Sequence, residues 1–415
     1  MKFRKMIAAV LAAMFCVTAV GCSKEANSES NTVSEETENV SAGENGAPEK
    51  SDEFNQDITA MELTADIRIG WSLGNTLDAT GGSGLSQETS WGNPQTTQEL
   101  MQGVKDAGFN AVRIPTTWEK QMDENNVINA EWMARVKEIV DYAYDLDMYV
   151  ILNMHHEEWY QPYADKEEEI TAKLQTCWTQ IAEAFKGYDQ HLIFEGMNEP
   201  RWKNTQFEWN GGNDEGRTVV NHLNRAFVEA VRATGENNEY RFLMVCPYAA
   251  NSSESALAAL ELPDDDRLIV SVHAYIPYSF ALQNPGSDKW VATKSNCTNE
   301  IDTLAEVLNR LFISKGQAVI IGECGAMNRQ NEEYRAAWAE YYFSTFKKIG
   351  IPCFWWDNGS FMSGETFGLF DRYNKIPRYT LLVEGMMNGA DMITGVDYFA
   401  SASTAESTGT ADSAA

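Results

Sequence analysis

Positive charge is scarce in this sequence. Its 415 residues include 32 Lys and Arg against 61 Asp and Glu, which gives a formal net charge of −29 at pH 7. Proteins that bind nucleic acid or anionic lipid do so through clustered Lys and Arg side chains. The composition therefore argues against both partners. It is compatible with a neutral polymer such as a polysaccharide, although acidity that keeps an exported protein soluble explains the charge equally well.

Cysteine is also sparse, and its spacing follows no metal-binding pattern. Two of the seven cysteines, Cys16 and Cys22, lie in the N-terminal segment, and the others form no CxxC pair. A structural zinc site is therefore not expected. Five scattered cysteines in an exported chain favour buried free thiols over a disulfide framework, with one disulfide possible. These five are Cys177, Cys246, Cys297, Cys324 and Cys353.

The N-terminal apolar run is too short to cross a bilayer as a helix. It extends from Met6 to Val20 and follows Lys2, Arg4 and Lys5, which is the pattern of a secretory signal peptide. We therefore predict a signal peptide over residues 1–22 and export of the mature chain.

The end of this run resembles the lipobox of bacterial lipoproteins. A small residue, Gly21, precedes Cys22, and the resemblance implies that Cys22 is lipid-modified after cleavage, which anchors the protein at the cell surface. Lipoproteins usually carry Leu where Ala19 stands, so ordinary cleavage and secretion remain the alternative. The membrane is expected as a partner only through this lipid anchor.

Two segments have compositions that cannot form a packed core. Residues 23–57 are rich in Ser, Thr, Asn and Glu with almost no aromatic residues, and we predict a disordered acidic linker there. We predict a disordered C-terminal tail over residues 394–415. The single folded domain is then expected over residues 58–393.

Apolar, β-rich runs alternate with segments of helical periodicity through this domain. Continuously apolar runs are typical of parallel strands buried on both faces. Eight strand–helix units of this length predict an α/β fold, a single (β/α)₈ TIM barrel, with the functional residues at the C-terminal ends of the strands. The predicted strands are Ile67–Gly70, Ala111–Ile114, Tyr149–Met154, Leu192–Met197, Arg241–Cys246, Leu268–Ala274, Ala318–Gly322 and Cys353–Trp356. The fifth connection, Asn251–Leu262, is short, and the eighth helix is expected after Arg378.

Two glutamates follow apolar strands on opposite sides of the predicted barrel mouth. Glu199 comes after the fourth strand and Glu323 after the seventh. Glycoside hydrolysis needs two facing carboxyl groups, about 5–5.5 Å apart in retaining enzymes. Arg113 and Tyr275 are expected to hold Glu323 ionised. Glu199 has no evident cation in its motif, so we expect a raised pKa and a protonated acid.

Several motifs resemble glycoside hydrolase family 5 of the clan A barrels, and most closely its bacterial endoglucanase subfamily 4. The resemblance covers roughly Ile67 to Met387, and the motifs occur in the order of the family. They are Phe194-Glu195-Gly196-Met197-Asn198-Glu199-Pro200, His273-Ala274-Tyr275, Ile320-Ile321-Gly322-Glu323 and Phe354-Trp355-Trp356-Asp357-Asn358-Gly359.

The resemblance implies roles for individual residues. Glu199 is the implied acid/base and Glu323 the implied nucleophile. Asn198 suits a donor to the sugar 2-hydroxyl. Trp356 is preferred over Trp355 for stacking on the sugar, because neighbouring strand side chains alternate. The implied catalytic shell is Arg113, His155, Asn198, His273, Tyr275 and Trp356, and further candidates for sugar contacts are Trp71, Asn75 and His156.

The implied function is a retaining endo-β-1,4-glucanase, a monomer acting on β-glucan without a cofactor or metal ion. Xyloglucanase, lichenase and β-mannanase are the alternatives on the same barrel, because loops determine the substrate. A surface lipoprotein that binds glycan without cleaving it is a third class. A metal site at His155, His156, Glu157 and His273 is weakened because Asp357 is the only Asp at a strand end. Loop aromatics such as Trp91, Trp118, Trp159, Tyr160, Trp202 and Trp209 suggest an open cleft.

Overall fold

The structure is a computed structural model, and it describes residues 54–399. The predicted signal peptide, Cys22 and most of the predicted linker lie outside the described residues, so these predictions stay predictions. Within residues 54–399 no helix is long and apolar enough to cross a bilayer. All five cysteines of this region are free thiols, and all but Cys297 are buried, as the sequence favours.

Eight parallel strands close into a barrel in chain order, and β8 pairs with β1. The predicted TIM barrel is therefore confirmed. The strands are β1 (Gly70–Leu73), β2 (Ala111–Ile114), β3 (Tyr149–Asn153), β4 (Leu192–Glu195), β5 (Leu243–Val245), β6 (Leu268–His273), β7 (Ala318–Cys324) and β8 (Cys353–Asp357), and a short hairpin follows with β9 (Phe370–Asp371) and β10 (Ile376–Pro377).

Helices surround the barrel, and their apolar residues recur every three or four positions. In the helix after β3, for example, Ile170, Leu174 and Trp178 are buried against the strands. The fifth connection contains only a short helix, and the eighth helix follows Arg378, as predicted. The helices are α1 (Ala60–Asp66), α2 (Gln98–Asp106), α3 (Ala130–Tyr144), α4 (Glu167–Ala184), α5 (Asp214–Arg232), α6 (Glu254–Ala258), α7 (Tyr278–Ala281), α8 (Ser295–Leu311), α9 (Glu332–Lys347) and α10 (Thr380–Ala390).

Strand β1 begins three residues later than predicted, at Gly70. The ring of Phe354 on the neighbouring β8 fills the space beside Gly70, and a Cβ there would lie 2.1 Å from it. Only glycine therefore fits at this position, and the aromatic ring occupies the lower barrel in its place. The apolar run Ile67 to Ile69 leads into the strand rather than forming it.

The folded region begins earlier than the predicted boundary at residue 58. Phe54 is buried and packs with Leu63 and Ile67 against the side chains that fill the lower end of the barrel. Burying one such side chain contributes about 1.5–3 kcal/mol. Residues 54–57 therefore belong to the domain, because Phe54 supplies the apolar surface that the rest of the predicted linker lacks.

The folded region also extends beyond the predicted boundary at residue 394. Tyr398 is buried, and its hydroxyl donates to Glu340 of α9 at 2.8 Å. The backbone N–H groups of Gly395 and Val396 donate to the same carboxylate. The prediction of disorder was wrong for residues 394–399, because one buried carboxylate and one aromatic ring fix this segment.

Candidate active site

Inward-facing side chains change from apolar to polar along the strands. On β3, Tyr149 and Ile151 fill the lower barrel, and Asn153 follows two residues later on the same face. The same alternation on neighbouring strands places polar groups in one layer beneath the barrel mouth. This layer consists of Arg113 on β2, Asn153 on β3, Glu195 on β4, and Ser271 and His273 on β6.

Strand β7 departs from the regular alternation at a bulge. Its register against β6 shifts so that His273 pairs with Glu323. Gly322 lies beside the polar layer, where a Cβ would approach Glu195 Oε1 to 3.4 Å. The glycine leaves room for the layer, and the bulge directs Glu323 towards the barrel mouth.

Arg113 holds Glu323 in place from below. Its fully buried guanidinium donates from Nη1 to Glu323 Oε1 at 2.7 Å. The hydroxyl of Tyr275 donates to the other carboxylate oxygen at 2.8 Å. These contacts confirm the predicted pairing of both residues with Glu323. Arg113 also donates from Nη2 to Asn198 Oδ1 at 2.6 Å, which orients the amide so that its Nδ2 remains available as a donor.

Glu195 is a third buried carboxylate beside the barrel mouth, and no role was predicted for it from the sequence. It accepts hydrogen bonds from Arg113 Nε at 2.8 Å, Asn153 Nδ2 at 2.9 Å and Ser271 Oγ at 2.5 Å. Burial alone would raise its pKa. The charge of Arg113 and the hydrogen bonds outweigh burial and lower the pKa to about 2. An inward position of Glu195 could have been predicted, because it lies two residues after the inward-facing Ile193 on the same face of the strand.

The two predicted carboxylates face one another at the barrel mouth. One oxygen of Glu199, one oxygen of Glu323 and one ring nitrogen of His273 lie within 4.8 Å of one another. The side chains of Glu199 and Glu323 are 15% and 7% exposed, so both remain accessible from the cleft. Carboxylates this close suit a nucleophile and an acid on one sugar, since a pair with a water molecule between them needs about 6.5–9.5 Å.

Glu199 has two cationic neighbours. His273 Nδ1 lies 2.8 Å from Oε1, and Arg201 Nη1 lies 3.4 Å from Oε2. Burial alone would raise the pKa of Glu199, but its hydrogen bond to His273 and the charges of His273 and Arg201 lower it. The predicted raised pKa was therefore wrong. The motif around Glu199 contains no cation, but His273 from β6 and Arg201, two residues further along the chain, both lie beside its carboxylate.

His273 lies among three carboxylates. Burial would lower its pKa, but the charge of Glu323, the nearby carboxylate of Glu195 and the hydrogen bond of Nδ1 to Glu199 raise it to about 9. The imidazole is therefore protonated at neutral pH. Its Nε2 lies 3.9 Å from Glu195 and has no hydrogen-bond partner among the described residues.

Trp356 and Trp355 have different environments, as the strand alternation predicts. Trp356 lies parallel to His155, with ring centroids 5.6 Å apart and 6° between the planes. Trp355 is fully buried, contacts Trp338 of α9 and donates from Nε1 to the carbonyl of Phe367. Trp356 is thus the indole that reaches the barrel mouth.

An aromatic row continues from Trp356 towards β1. His155 contacts His156 with ring centroids 4.4 Å apart, and His156 contacts Trp91 at 5.6 Å. Burial lowers the pKa of His155 well below its usual value and that of His156 to about 4, so both rings are neutral at the pH of most assays. Asn75 lies at the end of β1 with a φ of 55°, and its carbonyl accepts from Asn93.

The other aromatic candidates range from buried to exposed, and Trp159 and Trp202 are half-buried. Trp71 is fully buried and donates to Asp357 at 2.9 Å, so the expected sugar contact was wrong for this residue. Trp118 and Tyr160 are also buried. Trp91 and Trp209 are 42% and 55% exposed and present free ring surface. The open cleft is therefore bordered by fewer aromatics than the sequence suggests.

Asp78 lies beside His155 and His156, and one potential ligand atom of each lies within 4.8 Å of the others. Its oxygens accept the backbone N–H groups of Asn75 and Thr76 at 3.0 and 2.6 Å, and burial raises its pKa to about 6. The carboxylate therefore braces the loop after β1. Asp78 was not among the residues predicted for a metal site, because its position after β1 gives no sequence signal.

Comparisons with known proteins identify relatives over most of the chain. A family model described as cellulase (glycosyl hydrolase family 5) matches residues 31–362. Endoglucanase A of Clostridium longisporum is 47% identical over 325 residues, which are 76% of this chain and 62% of that protein, so the chain spans less than two thirds of this relative.

Solved structures share the fold over most of the chain. A GH5-4 broad specificity endoglucanase from Clostridium longisporum matches with a TM-score of 0.79 and 44% identity, covering 81% of this chain and 99% of that one. A GH5 xyloglucan-specific endo-β-1,4-glucanase from a metagenomic library, in complex with cellotriose, matches with a TM-score of 0.77 and 42% identity, covering 79% and 98%.

Proposed function

The chain belongs to the cellulase family, glycosyl hydrolase family 5, and on this premise we propose that it is a retaining endo-β-1,4-glucanase. The observation that carries the proposal is the close approach of Glu199 and Glu323 at the barrel mouth, within 4.8 Å for one oxygen of each. Such a pair suits double displacement through a covalent glycosyl-enzyme intermediate.

In the first step, Glu323 attacks the anomeric carbon while Glu199 donates a proton to the leaving oxygen. Arg113 and Tyr275 fix both oxygens of Glu323, so the nucleophile is oriented before the sugar arrives. Glu199 must carry a proton at this moment. A sugar seated over the pair excludes water from Glu199, and desolvation favours the neutral carboxyl.

In the second step, Glu199 acts as a base and takes a proton from water. The water oxygen attacks the anomeric carbon, and the bond to Glu323 breaks to restore its carboxylate. His273 and Arg201 stabilise Glu199 in the ionised form that this step requires. The same two cations therefore favour the ionised Glu199 that acts as the base in the second step, and they disfavour the protonated Glu199 that acts as the acid in the first step.

The proposed substrates are unbranched β-1,4-glucan, with xyloglucan and mixed-linkage glucan as further substrates. An open cleft with exposed Trp91 and Trp209 supports a polymer substrate. Solved relatives described as broad specificity and as xyloglucan-specific support breadth in the β-1,4-glucan class. β-Mannan is the runner-up. Binding without cleavage is disfavoured because both carboxylates are present and oriented.

We also propose that the chain is exported and anchored at the cell surface through a lipid on Cys22, and that it acts as a monomer. Incorporation of labelled palmitate into the wild type but not into Cys22→Ser would support the anchor. Release of an unlabelled wild-type protein into the medium would contradict it and favour secretion.

The decisive experiment compares the wild type with Glu323→Ala and Glu199→Ala on carboxymethylcellulose, xyloglucan, lichenan and mannan, and on an activated aryl β-cellobioside with azide. We expect cleavage of the glucans by the wild type and loss of activity in both variants, by a factor of at least 10²–10⁴ for the acid/base. Azide should give the α-glycosyl azide with Glu323→Ala and the β-glycosyl azide with Glu199→Ala. Full activity of either variant would refute the assignment.

A further inference from the structure

Arg201 lies between the acid/base and an exposed indole. Its Nη1 donates to the backbone carbonyl of Glu199 at 2.9 Å and approaches the Glu199 carboxylate at 3.4 Å. Its guanidinium stands over the ring of Trp209, 4.0 Å from the centroid. Glu208 fixes the Nε side at 3.3 Å. One half-buried side chain therefore contacts both the acid/base and a free aromatic surface.

Trp209 and Trp356 belong to opposite sides of the barrel, because β4 and β8 are opposite strands of the closed eight-stranded sheet. The aromatic row runs from Trp356 in β8 through His155 and His156 on the loop after β3 to Trp91 on the loop after β1. Trp209 instead lies on the loop after β4, and Glu199 is part of the same connection between β4 and α5. A glucan whose attacked sugar stacks on Trp356 then extends over the row in one direction and past Glu199 in the other.

The free face of Trp209 is suited to a pyranose ring. The indole is 55% exposed although its other face contacts Arg201. Its backbone carbonyl accepts from Asn251 Nδ2 at 3.0 Å, which fixes the loop beneath it. Flat aromatic surfaces with one ordered face bind sugar rings with little loss of conformational entropy.

From this geometry we propose that Arg201 is a positioning residue that connects the leaving-group subsite to the acid/base, with Trp209 as the platform for the leaving-group sugar. The proposal rests on the proposed glucanase function. Arg201 orients Glu199 through its backbone carbonyl, stabilises its carboxylate for the second step and keeps the indole face in line with it. Binding of the leaving-group sugar and the state of the acid/base then depend on one side chain.

The charged groups around Glu199 determine the sign of the pH effect. His273 faces it from β6, Glu323 from β7, His156 from the loop after β3 and Glu365 from the loop after β8. Removing the positive charge of Arg201 leaves His273 as the cation in contact and raises the pKa of Glu199. Since the first step needs protonated Glu199, the basic limb of kcat/KM should move to higher pH.

The test uses Arg201→Gln, Arg201→Lys and Trp209→Ala, assayed on cellotetraose and on 2,4-dinitrophenyl β-cellobioside. The aryl leaving group needs neither a proton nor a sugar platform. We expect kcat/KM of Arg201→Gln to fall roughly tenfold more on cellotetraose than on the aryl substrate. Arg201→Lys keeps the charge and should leave the basic limb in place, and Trp209→Ala should raise KM for cellotetraose without moving the limb.

Lys203→Gln is the matched control, because Lys203 lies two residues further along the same loop and pairs with Glu158 instead. It should match the wild type on both substrates. Equal losses on both substrates in Arg201→Gln, or an unmoved basic limb, would overturn the proposal. An additive effect of Arg201→Gln and Trp209→Ala in the double variant would also do so. A wild type that does not cleave cellotetraose would instead contradict the proposed function.

Discussion

Arg113 joins Glu323 to Glu195, donating to the first at 2.7 Å and to the second at 2.8 Å within a layer that is closed to solvent. Glu323, the proposed nucleophile, is accessible from the cleft, whereas Glu195 is fully buried and balances the charge of the guanidinium. Without Glu195, the buried cation would have a single carboxylate partner, and in the proposed mechanism that partner loses its charge when the glycosyl ester forms. Under this mechanism, Glu195 keeps Arg113 neutralised through both steps.

Glu195→Gln should reduce both stability and activity. The change keeps the shape of the side chain but removes one partner of a buried ion pair, which costs about 3–5 kcal/mol. Denaturant unfolding and kcat on carboxymethylcellulose measure the two effects. Glu340→Gln is the control, since Glu340 is a buried carboxylate on α9 that binds the C-terminal segment. It should lower stability alone. Wild-type kcat in Glu195→Gln would contradict the role of this carboxylate.

His273 should make the folded state less stable in alkali. Its pKa is raised from 6.5 to about 9 on folding, so its contribution is fully present below pH 6.5 and is lost as pH rises through about 9. The maximum contribution is about 3 kcal/mol, from 1.36 kcal/mol per pKa unit. The free energy of unfolding of the wild type should therefore fall between pH 6.5 and 9.

The control for this pH dependence is His273→Gln, which cannot titrate in this range. Its free energy of unfolding should change less between pH 6.5 and 9 than that of the wild type. The same fall in both proteins would show that other groups cause the loss of stability.

Alanine substitutions of the two adjacent tryptophans of β8 should have different effects, one on substrate binding and the other on stability. Trp356→Ala should raise KM and lower kcat on glucans, because the sugar loses its stacking surface beside His155. Trp355→Ala removes a fully buried indole and should cost about 3–5 kcal/mol of unfolding free energy. Michaelis parameters and thermal unfolding on both variants distinguish the two roles. A stable, kinetically unimpaired Trp356→Ala would refute the contact.

The strand ends and the two catalytic candidates were predictable, and the interactions around them were predictable only in part. Glu199 and Glu323 follow apolar runs, and a closed barrel brings the ends of its strands together regardless of the length and conformation of the loops. The alternation of side chains selects Trp356 over Trp355, and it also points Glu195 inward. It does not reveal that Arg113 has a second carboxylate partner, because pairing across strands depends on register.

Residues on loops were not predictable by the same reasoning. Arg201 and Asp78 lie beside catalytic candidates because of turns whose paths no periodicity encodes. The error in the expected pKa of Glu199 has this origin only in part, since Arg201 lies on a loop whereas His273, the other cation beside Glu199, lies on β6 and contacts it across the barrel. Phe54 and Tyr398 were missed for another reason, because single aromatic residues fix segments whose average composition predicts disorder.

Glu365 provides the counterpart to Arg201. It lies on the loop after β8, where its carbonyl accepts from Asn358 at 2.6 Å, and its carboxyl group has no hydrogen bond or ion pair among the described residues. Partial desolvation and the charges of Glu199 and Glu323 raise its pKa. The negative charge of Glu365 must in turn raise the pKa of Glu199, because it disfavours a second negative charge nearby.

Glu365→Gln should therefore lower the pKa of Glu199 and move the basic limb of kcat/KM to lower pH, opposite to Arg201→Gln. Since Glu365 is exposed, the shift should be present at low ionic strength and largely screened in 1 M salt, where the Debye length is about 3 Å. Stability should not change. The measurement is the pH profile on cellotetraose at both salt concentrations. An unmoved limb at low salt would mean that Glu365 does not act on Glu199, whereas a salt-independent shift would indicate a direct contact formed with bound sugar.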